Sequence, residues 1–196
     1  MDKNILIIGA PRCGKSSLAK KLNKEKKLSV ISIDNIVSGF HAYPELKIHH
    51  DGSDVETAKN LAPFMKNFLI ELSEGSLFYD GVKFAIEGTH IDFEELMPFL
   101  QSEKYREKYE IIGLTCNDIT AEELYKNIKK YDTEDDWTYW CDDEDLKNNA
   151  KYFIERNEYF NKQFKKYNIK SYDTSHDRES VLNKIIRDLY DNKGEL

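Results

Sequence analysis

With 196 residues, 40% of them hydrophobic and 33% charged, the chain holds enough apolar material for one α/β core and too much to stay disordered. A net charge of −7 argues against a broad nucleic-acid footprint, which needs a basic surface. No stretch is long and apolar enough to span a bilayer. Met1–Asn4 leads directly into a buried-type strand, so a cytoplasmic protein with no membrane or nucleic-acid partner is expected, as monomer or homodimer.

Lys3–Ile8 is a short apolar run, suited to a strand covered on both faces. Directly after it comes Gly9-Ala10-Pro11-Arg12-Cys13-Gly14-Lys15-Ser16, and Ser17–Leu22 continues as a helical pattern. This is the complete G-x-x-x-x-G-K-[ST] pattern in its strand–turn–helix setting. The two glycines let the backbone curl so that successive N–H groups face phosphate oxygens, and the helix adds its positive end there. Lys15 can reach the β- and γ-phosphates, and the Ser16 hydroxyl can ligate Mg²⁺. ATP with Mg²⁺, bound along Gly9–Ser17, is therefore the expected cofactor.

Ser29–Ile33 reads as a second strand closed by Asp34, and Lys83–Ile86 as a third closed by Glu87. Between them Val55, Ala58, Leu61, Ala62, Met65, Phe68, Leu69 and Leu72 recur at helical spacing. Asp92 with Glu95, and Thr120 with Glu123, form capping-box patterns ahead of two further helices, on either side of a fourth strand at Ile111–Thr115. Leu146 to Phe164 marks a long helix, Ile169–Tyr172 a weak fifth strand, and Val181 to Leu189 a last helix. Strands alternating with helices predict a three-layer α/β domain over residues 1–196 with a parallel sheet.

Cys13, Cys116 and Cys141 lie far apart and form no zinc spacing, so they read as reduced thiols. His49 and His50 are adjacent, a spacing that suits a surface loop better than a metal pair. The segment from Asp132 to Asp145 is dense in acids, holds Trp137, Tyr139 and Trp140, and contains no lysine or arginine. It reads either as a solvated loop or as a lid closing over a pocket and excluding water. An acidic lid suits a neutral or cationic ligand.

The phosphate loop, an acid closing the second strand and a long helical insertion resemble nucleoside, nucleotide and small-molecule kinases of the adenylate kinase type. Ile86-Glu87-Gly88-Thr89-His90 is similar to the Glu-Gly-x-His segment of uridine kinases and 2-phosphoglycerate kinases. The resemblance implies a P-loop NTPase fold with five strands in the order 2-3-1-4-5. It also implies an acceptor-binding insertion over residues 35–80, a lid over residues 131–146, and Thr174 and Ser175 beside the adenine. The activity implied is ATP- and Mg²⁺-dependent phosphoryl transfer to a small-molecule acceptor. The expected catalytic set is Lys15, Asp34, Glu87 and Arg156, with Ser16 and Glu87 at the metal. In this reading Asp34 orients the acceptor hydroxyl and takes its proton. Either acid can instead serve as a helix cap, Asp34 for Asn35–Ser38. Family members carry several lid arginines. This chain has five in all, of which Arg12 and Arg156 are placed to substitute, with Lys126, Lys129 and Lys130 after the fourth strand. A regulatory GTPase is disfavoured, because Thr115-Cys116-Asn117-Asp118 lacks the guanine-reading lysine. A P-loop ATPase or nucleotide-binding regulatory module acting through a partner remains the alternative.

Overall fold

The computed structural model of the protein describes residues 2–51 and 53–190. In chain order it runs β1 (Asn4–Gly9), α1 (Lys15–Lys26), β2 (Ser29–Ser32), α2 (Ile33–Gly39), two short 3₁₀ turns, α3 (Asp54–Glu74), α4 (Ser76–Tyr79) and β3 (Phe84–Gly88). It continues with α5 (Phe93–Leu100), β4 (Tyr109–Thr115), α6 (Ala121–Tyr131), a 3₁₀ turn at Trp137–Trp140, α7 (Asp143–Lys166), β5 (Ser171–Asp173) and α8 (Arg178–Tyr190). The five strands pair in parallel in the order β2-β3-β1-β4-β5, as expected for the P-loop NTPase fold.

The central strand shows why the sheet is covered twice. All six residues of β1 are buried, and they alternate between two cores. Leu6 and Ile8 enter the cluster containing Leu61, Met65, Leu69, Leu96 and Phe160 from α3, α5 and α7. Ile5 and Ile7 enter the cluster containing Leu18, Leu22, Leu182 and Ile186 from α1 and α8. Successive strand side chains point to opposite faces, so an unbroken apolar run needs helices on both sides. At the strand's start the buried Asn4 side chain donates to Leu72 O and accepts from Phe84 N, tying β1 to α3 and β3.

The same alternation aims the site. In β3, Ala85 faces the α1 side, and Glu87, two residues on, shares that face. Ile86 faces the α3 side. Gly88 has no side chain because Ile33, the first residue of α2, packs on it; a Cβ there would lie 2.5 Å from Ile33 Cβ. This close approach places the start of α2 on the end of β3.

The helix starts follow the sequence cues with one shift. Thr120 and Glu123 form a full reciprocal capping box, and Asp92 caps α5 through Glu94 N and Glu95 N. The second strand ends at Ser32 instead of Ile33. Asp34 therefore does not close a strand; it sits in the first turn of α2, behind Ser32 at the cap position. The fifth strand is Ser171–Asp173, displaced toward the C-terminus, because Ile169 is drawn into the core beside Phe160 and Phe164.

Gly88→Ala is expected to lose about 1–3 kcal/mol of unfolding free energy in a urea titration, as an overpacked core position does. Gly39, in helical conformation with nothing within 4 Å of where a Cβ would stand, is the control. Its change to Ala should be neutral or stabilising by up to about 1 kcal/mol.

Candidate active site

The turn between β1 and α1 is built as the motif requires. Gly14 takes a left-handed conformation with φ of 88°, and Arg12 does so with φ of 67°. The turn is braced from outside at several points. Thr89 Oγ1 donates to Gly9 O, Thr174 Oγ1 donates to Cys13 O, and Arg178 donates to Arg12 O at 3.0 Å. Thr174 is buried and also bonds Thr115 O, so it acts as a strut between β4 and the loop. Ser175 turns away, donating to Asp173 and accepting from Asp118 N.

Inside the turn the functional groups are paired with one another. Lys15 Nζ donates to Ala10 O at 2.8 Å, and Ser16 Oγ donates to Glu87 Oε2 at 3.2 Å. Cys13 is fully buried, and loss of solvent pushes its thiol up to about 11, so it is no nucleophile at neutral pH. A hydroxyl and a carboxylate converging at the loop suit Mg²⁺, which takes one or two protein oxygens and completes its shell with phosphate and water. No group of three or more acid, histidine or cysteine side chains fit for a metal occurs among the described residues. His49 and His50 lie in loop backbone.

Beside the loop lies a chain of charges that joins four elements. His90, just past β3, places Nδ1 3.3 Å from Asp34 Oδ1 on α2 and Nε2 3.4 Å from Asp54 Oδ1 at the start of α3. Asp54 Oδ2 in turn accepts from Tyr152 O–H at 2.5 Å and lies 3.4 Å from Arg156 Nε, both on α7. The His90 ring is buried, and neither nitrogen is aligned well enough to form a hydrogen bond among the described residues, so the two contacts are ionic. Burial alone would lower the imidazole's pKa; the two carboxylates outweigh it and hold it up at about 9. Burial also acts to raise Asp34, but His90 and then Lys15 dominate and leave its carboxyl below the ordinary range. Asp54 is lowered in the same way by His90 and Tyr152. Half of the Asp34 side chain, 52%, stays exposed, so this anion faces the mouth of the cleft although protein crowds its other side. His50 stacks edge-on to His90 at 5.6 Å, and its Nε2 lies 3.2 Å from Asp34 O.

The arginines expected to serve the phosphoryl group are both engaged by acids. Arg156 is buried against Asp54 and lies over the rings of Tyr159 and Phe160, at 4.5 and 5.2 Å. Arg12 reaches out of the phosphate loop to the segment between α6 and α7, where it pairs with Asp132 and with Asp136 at 2.9 Å. Thr138 also donates to Asp132. Trp137, Tyr139 and Trp140 of that segment are exposed, with Trp137 edge-on to Phe153. Lys129 pairs with Asp143, and Lys126 with Glu122.

Asp54, Tyr152 and the pairing role of His90 escape sequence reasoning. Asp54 reads as one more acid at a helix start, and only the approach of α7 to α3 gives it partners.

Among solved structures the chain resembles shikimate kinase from Bacteroides thetaiotaomicron, with a TM-score of 0.56, 16% identity, and coverage of 96% of this chain and 98% of that one. Shikimate kinase from Acinetobacter baumannii in complex with shikimate superposes with a TM-score of 0.53 at 13% identity, over 98% and 96% of the two chains. A gluconokinase from Sinorhizobium meliloti gives 0.48 at 10% identity, over 98% of each. The chain has the P-loop NTPase fold. The two shikimate kinases are kinases built on it. No protein-family model and no curated protein matches the sequence. No helix among the described residues is long and apolar enough to cross a membrane.

Two outcomes follow from these charges. The His90 imidazolium should titrate near pH 9 by proton NMR, with a lower midpoint in Asp54→Asn. A raised folded-state pKa stabilises fully below the ordinary 6.5, so unfolding free energy should fall as pH rises from 6.5 through 9. Separately, Arg12→Ala removes charge-assisted contacts of about 1.5–3 kcal/mol. Proteolytic cutting between Asp132 and Asp142 should then quicken about tenfold or more, since 1.4 kcal/mol is tenfold in an equilibrium.

Proposed function

We propose that this chain transfers the γ-phosphoryl group of ATP, with Mg²⁺, to a hydroxyl of a small-molecule acceptor, in the cytoplasm. The observation that carries this reading is an ionised, half-exposed carboxylate, Asp34, held by His90 at the edge of a complete phosphate loop. A nucleotide-only module has no use for a second anion fixed at that mouth.

Gly9–Ser17 would hold the triphosphate through backbone N–H groups, with Lys15 leaving Ala10 O for the β- and γ-phosphates. Ser16 and Glu87 would hold Mg²⁺, which supplies charge neutralisation on the phosphates when bound. Asp34 accepts the hydrogen bond of the acceptor hydroxyl and so points its oxygen at the γ-phosphorus. As that oxygen bonds to phosphorus, the bond from phosphorus to the β–γ bridging oxygen breaks and ADP leaves. The hydroxyl proton passes to Asp34 and from there to water. A carboxylate below its ordinary range is a weak base, and this suits a loose transition state in which the proton moves late. Orientation is then the larger part of its work.

The segment over residues 131–146 acts as the lid, and Arg12 is its hinge point to the loop. On nucleotide binding Arg12 turns from Asp132 and Asp136 to the phosphoryl oxygens, standing in for the absent lid arginines. Arg156 stays with Asp54 on the acceptor side. Shikimate, bound in one of the neighbouring structures, serves as the anionic acceptor against which neutral ones are compared.

The test is ADP release from Mg·ATP, with and without an acceptor panel that includes shikimate, hydroxy acids, polyols, amino alcohols and nucleosides. Acceptor-dependent turnover supports the kinase reading; turnover indifferent to every acceptor favours the ATPase or regulatory module. Lys15→Ala should abolish transfer with the fold intact. Asp34→Asn should keep ATP affinity and lower transfer about 10²–10⁴-fold. Glu87→Gln should raise the Mg²⁺ concentration needed for half-maximal rate.

A further inference from the structure

One feature of the acceptor side is used neither by the phosphate loop nor by the chain from Asp34 to Asp54. A cavity of about 220 Å³ opens between α3, the start of α5 and α7. It adjoins the charge chain directly: Val55 follows Asp54, Ile91 follows His90, and Arg156 belongs to both. At about 30 Å³ per water it has room for roughly seven waters, the size of one end of a metabolite rather than of a nucleotide.

Its wall is half apolar, from Val55, Ile91, Phe93 and the Tyr159 ring, and half polar, from Arg156 and Gln163. Two of the polar atoms are buried without an aligned hydrogen bond among the described residues: Gln163 Oε1, and Arg156 Nε, which faces Asp54 Oδ2 at 3.4 Å in an ionic contact. Arg156 as a whole is 8% exposed. A buried acceptor left idle is costly, so Gln163 Oε1 calls for a donor. The partner must donate to Gln163, and the Arg156 guanidinium carries further N–H donors besides the one facing Asp54.

Charge narrows its chemistry. The Arg156 guanidinium is already balanced by Asp54, so it has no charge to spare for an anion. Asp92 and Glu94 also line the cavity, against Lys59 as the remaining cation of the wall. Glu94 is drawn toward Lys166, and Asp92 accepts from Glu94 N and Glu95 N. A carboxylate entering here would offer Gln163 no donor and would meet the Asp92 carboxylate in the wall, and an unpaired buried charge is far more costly than an unpaired dipole. An uncharged group with a donor beside an acceptor satisfies Gln163 without disturbing the balance.

We propose that this cavity seats the end of the acceptor remote from its phosphorylated hydroxyl, and that this end is uncharged and amide-like, its N–H donating to Gln163 and its oxygen accepting from Arg156. The inference rests on the kinase reading for the word acceptor, but its test needs neither ATP nor turnover.

Acetamide, acetate and acetamidinium have the same shape and differ in charge and donor pattern. Each is titrated at millimolar concentration into the full-length protein, with the methyl resonances of Val55, Ala58 and Ile91 followed by NMR. Acetamide is expected to shift these methyls in a saturable way, acetate to shift them at least tenfold more weakly, and Gln163→Leu to remove the acetamide response. Gln163→Glu, which keeps shape and polarity if the leucine variant fails to fold, should exchange acetamide for acetamidinium as the preferred probe. Preference for acetate, absence of any saturable shift, or an unchanged ranking in Gln163→Glu overturns the inference. Each of those results leaves the kinase reading to stand on its own ADP-release test. Conversely, a failed ADP assay with intact acetamide binding would leave the cavity's chemistry in place and remove only its assignment to a phosphoryl acceptor.

Discussion

A buried imidazolium cannot exist alone in a protein interior, and the acceptor side of this molecule is organised around that constraint. His90 is set where β3 ends, and desolvation would discharge it if Asp34 and Asp54 did not approach from opposite sides. Each carboxylate comes from a different helix, and each helix is delivered by a local feature. Gly88 lets α2 lie directly on β3, and Ser53 caps α3 so that Asp54 begins it. Removing the cation would leave two anions facing each other; removing either anion would leave the cation half paired. The position of Asp34 is thus a property of the whole cluster.

The same pattern of mutual neutralisation runs through the nucleotide side. Lys15 bonds its own loop, Ser16 bonds Glu87, and Arg12 bonds Asp132 and Asp136. Each of these side chains, of the kind that serves a phosphate or a metal, is held by an internal partner. Such an arrangement keeps the groups in place while limiting the cost of exposing a dense positive patch in an acidic chain. It also links the segment after α6 to the phosphate loop through one arginine.

The two sides differ in how much room they leave. Around the phosphate loop the partners close on one another, whereas between α3, α5 and α7 a cavity persists with the Gln163 acceptor idle in its wall. Buried polar atoms are ordinarily matched within a fold, so an idle acceptor with neither a hydrogen bond nor an ionic partner points to a ligand's chemistry.

The phosphate loop was legible in the sequence because its chemistry is local: glycines, lysine and serine act within eight consecutive residues and need only the strand before and the helix after. The sheet was legible for a similar reason, since an apolar run buried on both faces carries its own instruction for covering helices. Asp34 and Glu87 could be singled out as acids near strand ends, but whether Asp34 closes a strand or opens a helix depended on Gly88 admitting Ile33, a contact between distant parts of the chain. Arg12 and Arg156 were recognisable as scarce cations and not as members of ion pairs, because their partners lie on the lid segment and on α3. Asp54, Tyr152 and Gln163 carry no motif at all. An aspartate at a helix start, a tyrosine and a glutamine on an amphipathic helix acquire chemistry only when α7 is laid against α3. The sequence by itself therefore determined the nucleotide end, where function follows from backbone conformation over a short stretch. Tertiary structure alone decided the acceptor end, because there each charge takes its state from a neighbour that the chain brings in from elsewhere.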